Sequence, residues 1–394
     1  MLLVGIASVP AHAAGVRDRQ WHLDAMGAEE IWKLSTGKGV TVAVIDSGVE
    51  DTHPDLRGQV LDGKDLAPEA EGDEHTDVEG HGTGMAGVIA GTGKANGGAG
   101  AFGLAPGVKI LPVRLPAADL DGSMADADKQ FNKVAPEAIR FAVDAGAKVI
   151  NISQGARSGS QELTDAVKYA LDKGALVFAS VGNTGDKGNV VEYPGATPGV
   201  VGVGAIDKKL TRIPMSQHGH QVDIVAPGKD IVAACDDGGV CKSSGTSDAT
   251  ALASAAAALL WSKHPDWTNN QVLKVMLNTI AGPVGGDKRS DFIGYGAIRP
   301  LRTLKTPGDP GPADVRPIDD LTEPATATPS GPASAPPTDP GPVEPSSAAP
   351  VAPAPGSVAS EEGGNTGLWI GLGIGAAVLI AAGVAVPVLR SRRG

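Results

Sequence analysis

The chain has 394 residues, a formal net charge of −12 and few aromatic residues, 3% of the total. The excess of acidic side chains argues against a nucleic-acid partner, because phosphate backbones bind basic surfaces. Abundant glycine and alanine favour helices packed closely against a sheet. The length allows one large domain or two small ones.

The first segment, MLLVGIASVPAHAAG, is an apolar run that ends in the small residues Ala11 and Ala13 around His12. That order is typical of the end of a secretory signal peptide and its cleavage site. We therefore predict that residues 1–13 are part of a removed signal peptide and that a peptidase domain occupies residues 14–305. A buried first helix is the alternative for the apolar run.

Short runs rich in valine and isoleucine then alternate with helical patterns. The runs are GVTVAVID, VKILPVRL, AKVINISQG, ALVFASVGN and VVGVGAID. The stretches PEAIRFAVDAGA and SQELTDAVKYALDKGA place apolar residues at helical spacing. Apolar strands that alternate with helices predict an α/β fold, a mostly parallel sheet with helices on both faces. Such sheets bind ligands beyond the carboxyl ends of their strands.

Polar residues stand at the ends of these elements. Asp46 closes the run VAVID, His81 precedes a helical run, and Ser247 begins a long alanine-rich stretch that favours a helix. A serine hydrolase uses these three groups, because an imidazole takes the hydroxyl proton and a carboxylate orients the imidazole. Asn183 follows another strand and offers an amide to a developing oxyanion. Taken singly, each residue has an ordinary alternative as a cap, turn or loop residue.

The order Asp, His, Ser is that of subtilisin. The stretches VAVIDSGVEDTHPDL, GHGTGMAGVIAG, GLAPGVKILPVRL, VINISQG, SVGNTG and SSGTSDATALASAAAALLWSKHPDWTNNQV resemble the signature motifs of the subtilisin-like serine proteases of peptidase family S8. The resemblance covers residues 21–301 and implies a three-layer fold, a triad and an oxyanion donor. These would be Asp46, His81, Ser247 and Asn183. It also implies a substrate-pairing edge of Ser153, Gln154 and Gly155, and a pocket for the residue before the cut, lined by Val181 and Gly182.

The order of segments narrows the likeness to the mycosins, membrane-anchored subtilisin-like proteases of type VII secretion systems. Only the short segment GVRDRQWHLDAMGAEEIWKLSTGKG separates the predicted signal from the first motif. The resemblance implies polypeptide substrates and secretion-system membrane subunits as partners. In an extracellular domain Cys235 and Cys241 would form a disulfide, with two free thiols as the alternative.

The C-terminal part predicts a tether and an anchor. Residues 306–366 are rich in proline and alanine, which predicts an extended linker. Residues 367–389 carry no charge and are long enough for one transmembrane helix. Arginines follow this span, so the positive-inside rule makes residues 390–394 a cytoplasmic tail and the peptidase domain extracellular at the cell membrane.

Two features depart from the family pattern. Asp248 and Ala251 stand where the family usually has an apolar residue and a proline. We hypothesise that the charge of Asp248 slows the reaction and raises the pKa of His81, with a helix-start role as the alternative. The stretch GTGKANGGAGAFG carries no carboxylate where many subtilisins bind calcium, so we expect no calcium there, and no metal or cofactor elsewhere.

Two further histidines and an acidic run lie close to His81 in the sequence. His53 and His75 lack the spacing of a zinc site, and we predict that His53 is a packed structural residue. Residues 71–79, EGDEHTDVE, predict a solvated acidic loop. The alternative is that four of its carboxylates, those of Asp73, Glu74, Asp77 and Glu79, lend the cleft a negative field.

The sequence therefore favours an extracellular, membrane-anchored serine endopeptidase that acts through an acyl-enzyme and is associated with type VII secretion. The alternative is a subtilisin-fold subunit of low or no activity with a structural role in a membrane secretion complex. The four candidate catalytic residues favour the enzyme, whereas Asp248 leaves room for the subunit.

Overall fold

The computed structural model describes residues 15–117 and 123–321. The predicted signal peptide, the membrane span, the tail and all but the first part of the linker lie outside these residues. Within the described ranges, no helix combines the length and the apolar character needed to cross a bilayer.

Strands and helices alternate along most of the described chain. The strands are β1 (Thr41–Asp46), β2 (Lys64–Asp65), β3 (Lys109–Arg114), β4 (Val149–Ile152), β5 (Leu176–Ser180), β6 (Val201–Ile206), β7 (Ile224–Pro227), β8 (Ile231–Ala234) and β9 (Val240–Ser243). The helices are α1 (Trp21–Met26), α2 (Ala28–Trp32), α3 (His81–Ala90), α4 (Ala95–Gly98), α5 (Met124–Asp144), α6 (Gln161–Asp172), α7 (Thr246–Lys263), α8 (Asn269–Asn278) and α9 (Pro300–Lys305).

A seven-stranded sheet in the order β2-β3-β1-β4-β5-β6-β7 forms the centre, and its described pairs are all parallel. Strands β8 and β9 form an antiparallel hairpin. Alternate residues of β1 face opposite sides: Val42 and Val44 pack with α3 and α7, whereas Ala43 and Ile45 pack with α5 and α6. The predicted α/β fold with helices on both faces is confirmed.

The five predicted strands correspond to β1, β3, β4, β5 and β6, and the second predicted helix is α6. Helix α5 begins at Met124, well before the predicted start at Pro136, which lies inside the helix. Its start is fixed by a capping box, in which the Ser123 hydroxyl accepts from the Asp126 N–H and the Asp126 carboxylate reaches back. The capping box at Ser123 therefore decides where α5 begins, although Pro136 is of a type that often stands at the first position of a helix.

Helix α7 is buried at every residue from Thr246 to Trp261. It packs against β4, β5, β6 and β7 on the sheet, and against α3 and α9 beside it. Its alanines keep the helix thin enough to lie close to the sheet, which is why an alanine-rich sequence is needed here. The first turn of α7 thereby reaches the carboxyl edge of the sheet.

Candidate active site

Asp46 and His81 form an acid–imidazole pair at the carboxyl edge of the sheet. Asp46 ends β1 and is fully buried, whereas His81 begins α3 and its side chain is 30% exposed. The His81 Nδ1–H donates to Asp46 Oδ1 at 2.7 Å, which leaves Nε2 as a proton acceptor. Gly82 permits this approach, because a Cβ there would collide with the Gly48 carbonyl oxygen.

Further donors converge on the same oxygen of Asp46. The Ser47 N–H donates to Oδ1 at 2.9 Å, and the Ser47 hydroxyl lies at 3.3 Å. The Gln154 Nε2–H also donates to Oδ1, at 3.3 Å. Gln154 was predicted only as part of the substrate-pairing edge, so its contact with Asp46 was missed by sequence reasoning. No local sequence signal marks a contact between residues so far apart in the chain.

Ser247 lies in the first turn of α7, as the sequence predicted. Its hydroxyl donates to the Ser153 carbonyl oxygen at 3.3 Å, and the Ser153 hydroxyl donates to the Ser247 carbonyl oxygen at 3.4 Å. Among the hydrogen bonds of the described residues, none joins Ser247 to His81. Catalytic hydrogen bonds are often long before substrate binds, so the pair can still close during reaction.

Asn183 follows β5 and is fixed by the start of α7. Its Oδ1 accepts from the Thr246 N–H at 2.9 Å and from the Thr246 hydroxyl at 3.1 Å. These contacts set the orientation of the amide and leave the Nδ2–H groups as donors beside Ser247. A side-chain amide held in this way is suited to stabilise an oxyanion.

The predicted substrate-binding residues lie at the ends of two neighbouring strands, and one of them needs a correction. Ser153 to Gly155 follow β4, and Val181 and Gly182 follow the adjacent β5. Val181 is fully buried in a small apolar cluster with Val222 and Val225. Its side chain therefore does not line the cleft, and only its main chain is available for that role.

The charges around His81 change its protonation. Burial lowers the pKa of His81, but the charge and hydrogen bond of Asp46 and the charges of Asp248 and Asp77 raise it to about 9. Asp248 is only 1% exposed, and its Oδ1 accepts from the Ser243 hydroxyl at 2.5 Å. Burial raises the pKa of Asp248 to about 6, although Ser243 and His81 act in the opposite direction. The influence on His81 that we expected for Asp248 has the predicted sign.

The interpretation of residues 71–79 as a solvated loop is wrong for Asp77. This side chain is buried and accepts from the Ser47 hydroxyl at 2.8 Å and from the Thr83 N–H at 2.7 Å. It thereby ties the loop to the first turn of α3, whose free N–H groups attract a carboxylate. Burial raises the pKa of Asp77 and of Glu79.

Two further acids of this loop accept backbone N–H groups. The carboxylate of Asp73 accepts from the His75 N–H at 3.0 Å, and Glu74 accepts from the Gly63 N–H at 3.0 Å. Asp77 raises the pKa of His81, and the charge of His81 in turn acts to lower the pKa of Glu79, so both carboxylates of this loop contribute to the negative field at His81.

His53 is a packed structural residue, as predicted. It is 1% exposed, its Nδ1 accepts from the Asp55 N–H at 3.0 Å, and its Nε2–H donates to the Gly239 carbonyl at 2.9 Å. The Asp55 carboxylate accepts from the N–H groups of Ala95 and Ala101, at 2.7 and 2.9 Å. The glycine-rich stretch is thus held by a carboxylate from another part of the chain, which its own composition did not indicate.

Cys235 and Cys241 form the predicted disulfide, so the free-thiol alternative is wrong. They close the β8–β9 hairpin, whose last residue, Ser243, is the hydrogen-bond partner of Asp248. A Cβ at Gly80 would lie 2.8 Å from the Asp236 carboxyl carbon, so the hairpin also packs closely on the residue before α3. The hairpin therefore borders both helices that carry candidate catalytic residues.

A sequence profile of the subtilase family, peptidase S8, matches residues 37–296. The chain belongs to the subtilase family. It is 37% identical to Subtilisin E of Bacillus subtilis (strain 168) over 239 residues, 60% of this chain and 59% of that protein. It is 36% identical to the thermophilic serine proteinase of Bacillus sp. (strain AK1) over 268 residues, 68% of this chain and 62% of that protein. The chain thus spans about three fifths of the length of these curated relatives.

Solved structures of mycosins resemble the fold over a larger share of both chains. MycP1 from Mycobacterium smegmatis matches with a TM-score of 0.67 and 28% identity, over 78% of this chain and 89% of that chain. MycP3, a protease from the type VII (ESX-3) secretion system, matches with a TM-score of 0.62 and 29% identity, over 75% of this chain and 90% of that chain. The subtilisin-like fold and the likeness to mycosins are confirmed.

Proposed function

We propose that this chain is a serine endopeptidase that hydrolyses peptide bonds through an acyl-enzyme. The observation that carries the proposal is the Asp46–His81 hydrogen bond at 2.7 Å, at the same sheet edge as Ser247 and the fixed amide of Asn183. An acid, a base, a nucleophile and an oxyanion donor are the four parts that acyl transfer requires.

Each part has a defined step. The Ser247 hydroxyl turns from Ser153 to His81, whose Nε2 takes its proton as the oxygen attacks the scissile carbonyl. The Asn183 amide and the Ser247 backbone N–H donate to the oxyanion. The His81 imidazolium then protonates the leaving amine, and an acyl-enzyme remains on Ser247. Water, deprotonated by His81, attacks the acyl carbonyl, and the bond to Ser247 breaks to release the carboxylic acid. Asp46 holds the imidazole in its tautomer and stabilises the imidazolium that forms.

A fluorophosphonate probe tests this proposal directly, because it reacts only with an activated serine. We expect the full-length chain to be labelled and the Ser247→Ala variant not to be labelled. Ser254→Ala is a matched control, since Ser254 lies on the same helix and its hydroxyl is buried against Asn151. Absence of labelling across the pH range of stability would refute an active nucleophile.

A structural subunit of low or no activity is the second candidate. It is favoured by the buried carboxylate of Asp248 next to the nucleophile and by the Ser247 hydroxyl pointing to Ser153. Such a subunit would take up no probe, yet Ser247→Ala would still support assembly of the complex to which it belongs. The same labelling experiment therefore separates the two candidates.

We also propose that the enzyme works at the cell surface in association with type VII secretion. The likeness to mycosin structures supports this association, and the uncharged residues 367–389 followed by arginines support a single membrane anchor. In this arrangement the peptidase domain is outside and residues 390–394 are cytoplasmic. Its substrates are polypeptides, and its partners are membrane subunits of the secretion system.

Surface proteolysis tests the orientation. Protease added to intact cells should cut within residues 306–366 and release a soluble fragment that retains the fluorophosphonate label. A C-terminal epitope tag should remain protected until the membrane is opened. A tag that is digested in intact cells would contradict the orientation, and a domain that stays bound after the cut would indicate a partner that holds it.

A further inference from the structure

The pocket for the residue before the cut lies between the ends of β4 and β5. These strands are neighbours in the sheet, with Ile152 opposite Ala179. Beyond them, Ser153 contacts Ser247 on one side, and Asn183 contacts Thr246 on the other. Ligands of parallel sheets bind beyond the carboxyl ends of the strands, so a peptide carbonyl held between Ser247 and the Asn183 amide would direct its preceding side chain toward the crevice between these two chain segments.

One segment of the chain joins the two walls of this crevice. Tyr193 and Ala156 exchange backbone hydrogen bonds at 2.7 and 2.8 Å, next to the first wall. A Cβ at Gly195 would lie 3.1 Å from the Val181 Cα, next to the second wall. The chain from 192 to 195 therefore runs from one wall to the other, and its side chains decide what the crevice accepts.

Glu192 presents a carboxyl group at this position. A Cβ at Gly182 would lie 2.7 Å from its Cδ, so the absence of a side chain at Gly182 makes the room that this carboxyl group occupies. Its Oε1 accepts from the Gln217 Nε2–H at 2.9 Å, and the same nitrogen contacts the Thr184 hydroxyl at 2.9 Å. None of the described residues donates to Oε2, and none forms a salt bridge with Glu192. One oxygen of the carboxylate is thus fixed and the other remains available.

We propose that Glu192 selects substrates with a lysine or arginine side chain at the residue before the scissile bond. The reason is that this half-buried carboxylate has one fixed oxygen and, among the described residues, no cation within salt-bridge distance, Arg157 acting on it only through its charge. Such a group gains most from a cation that enters the crevice. A guanidinium is best suited, because its fork reaches a carboxylate oxygen and a neighbouring carbonyl together. This inference rests on the proposed function in one respect: the proposed function decides that the side chain entering the crevice is the one before the scissile bond.

Binding of a small cation tests the pocket without any catalysis. Benzamidine, a planar mimic of the arginine side chain, is titrated into the full-length Ser247→Ala variant by calorimetry. We expect saturable binding that weakens by about tenfold to a hundredfold when Glu192→Gln is added, the range for a hydrogen bond to a charged group. Glu50→Gln is the matched control, because Glu50 is a partly buried acid on the His81 side of the cleft, and it should leave binding unchanged.

Matched peptide substrates test the selection during turnover. They differ only in arginine, lysine, glutamine or leucine before the cut. We expect wild-type kcat/KM to favour the two cations over glutamine, and Glu192→Gln to remove that preference while still cleaving the glutamine and leucine peptides. Equal kcat/KM for arginine and glutamine peptides in the wild type, or an unchanged ratio in Glu192→Gln, would overturn the inference and leave the peptidase proposal intact.

The pH dependence of the ratio of kcat/KM for the arginine peptide to that for the glutamine peptide tests the inference in the wild-type protein, without a variant. Burial raises the pKa of Glu192 to about 7, with Asp128 acting in the same direction and the Arg157 charge and the Gln217 hydrogen bond acting against it. The arginine-to-glutamine ratio of kcat/KM should therefore fall as pH drops below this pKa, and His81 cancels because both peptides use it. A ratio that does not change with pH would contradict the assignment.

The labelling and binding experiments together distinguish the two proposals. If the fluorophosphonate probe does not label the chain, but benzamidine still binds Ser247→Ala more tightly than Ser247→Ala with Glu192→Gln, the pocket is supported and the peptidase proposal is refuted.

Discussion

The end of β1 and the first turn of α7 each place a buried aspartate beside His81, and the two are held very differently. Asp46 receives N–H and O–H donors from Ser47, His81 and Gln154. Asp248 receives the hydroxyl of Ser243 as its side-chain donor, and burial raises its pKa to about 6. The same residue type therefore meets several donors at the end of β1 and one side-chain donor at the start of α7, where burial disfavours the charged form of Asp248.

The largest expected difference comes from neutralising the two aspartates in turn. Asp46→Asn should lower kcat by about 10⁴-fold, because the imidazole loses the carboxylate that fixes its tautomer. Steady-state kinetics on a chromogenic peptide gives this number, with the circular dichroism spectrum as the check of the fold. Asp248→Asn should show no such loss, and equal losses in the two variants would abolish the distinction between them.

Removing the uncharged side-chain amide of Asn183 should give the next largest effect on kcat. Asn183→Ala should lower kcat by about 10²–10³-fold with little change in KM, the size reported for one oxyanion donor in subtilisin. Unlike the aspartate variants, it should not move the pH profile, since no titrating group is removed. An undiminished kcat would show that the amide does not act on the oxyanion.

Asp248→Asn should raise kcat by up to about 10–100-fold, because a carboxylate on the residue after Ser247 repels the developing oxyanion at an effective dielectric of roughly 20. The change also removes a charge that raises the pKa of His81. Neutral imidazole exists above that pKa, so the acidic limb of kcat/KM should move to lower pH. Because Asp248 is buried, added salt should change the wild-type deficit little. If rate and pH profile stay unchanged, Asp248 serves only the start of α7.

Ser243→Ala should give a smaller effect of the same sign. The Ser243 hydroxyl lowers the pKa of Asp248, so its removal raises that pKa and leaves more of the carboxyl group protonated near pH 7. We expect a gain of a few-fold in kcat near pH 7 that disappears well above it, where Asp248 is ionised in both proteins. A gain that persists at high pH would point to a cause other than this titration.

The positions of the candidate catalytic residues could be predicted because each is marked by a local pattern. Asp46 ends an apolar strand, His81 and Ser247 start helices, and Asn183 follows another strand. In a parallel sheet these ends meet at one edge, so local signals suffice to bring the residues together. The resemblance to subtilisin-like proteases added the roles.

Contacts between distant segments could not be predicted. Gln154 reaches Asp46, and the carboxylate of Asp55 holds the loop between Ala95 and Ala101, because the sheet register and the loop paths bring them there. For Asp77 the sequence led to a wrong prediction and not to a missed contact. An acidic run predicts solvent exposure, whereas the N–H groups at the start of α3 bind this one carboxylate in a buried position. Charge pattern alone does not reveal which acid meets a donor.

Helix α7 carries the candidate nucleophile at one end and is buried from Thr246 to Trp261. Segments that open independently of the whole protein are usually those with few buried contacts, and this helix is the opposite. Heat should therefore not displace Ser247 while the rest of the domain stays folded. Thermal inactivation and calorimetric unfolding should therefore share one transition temperature.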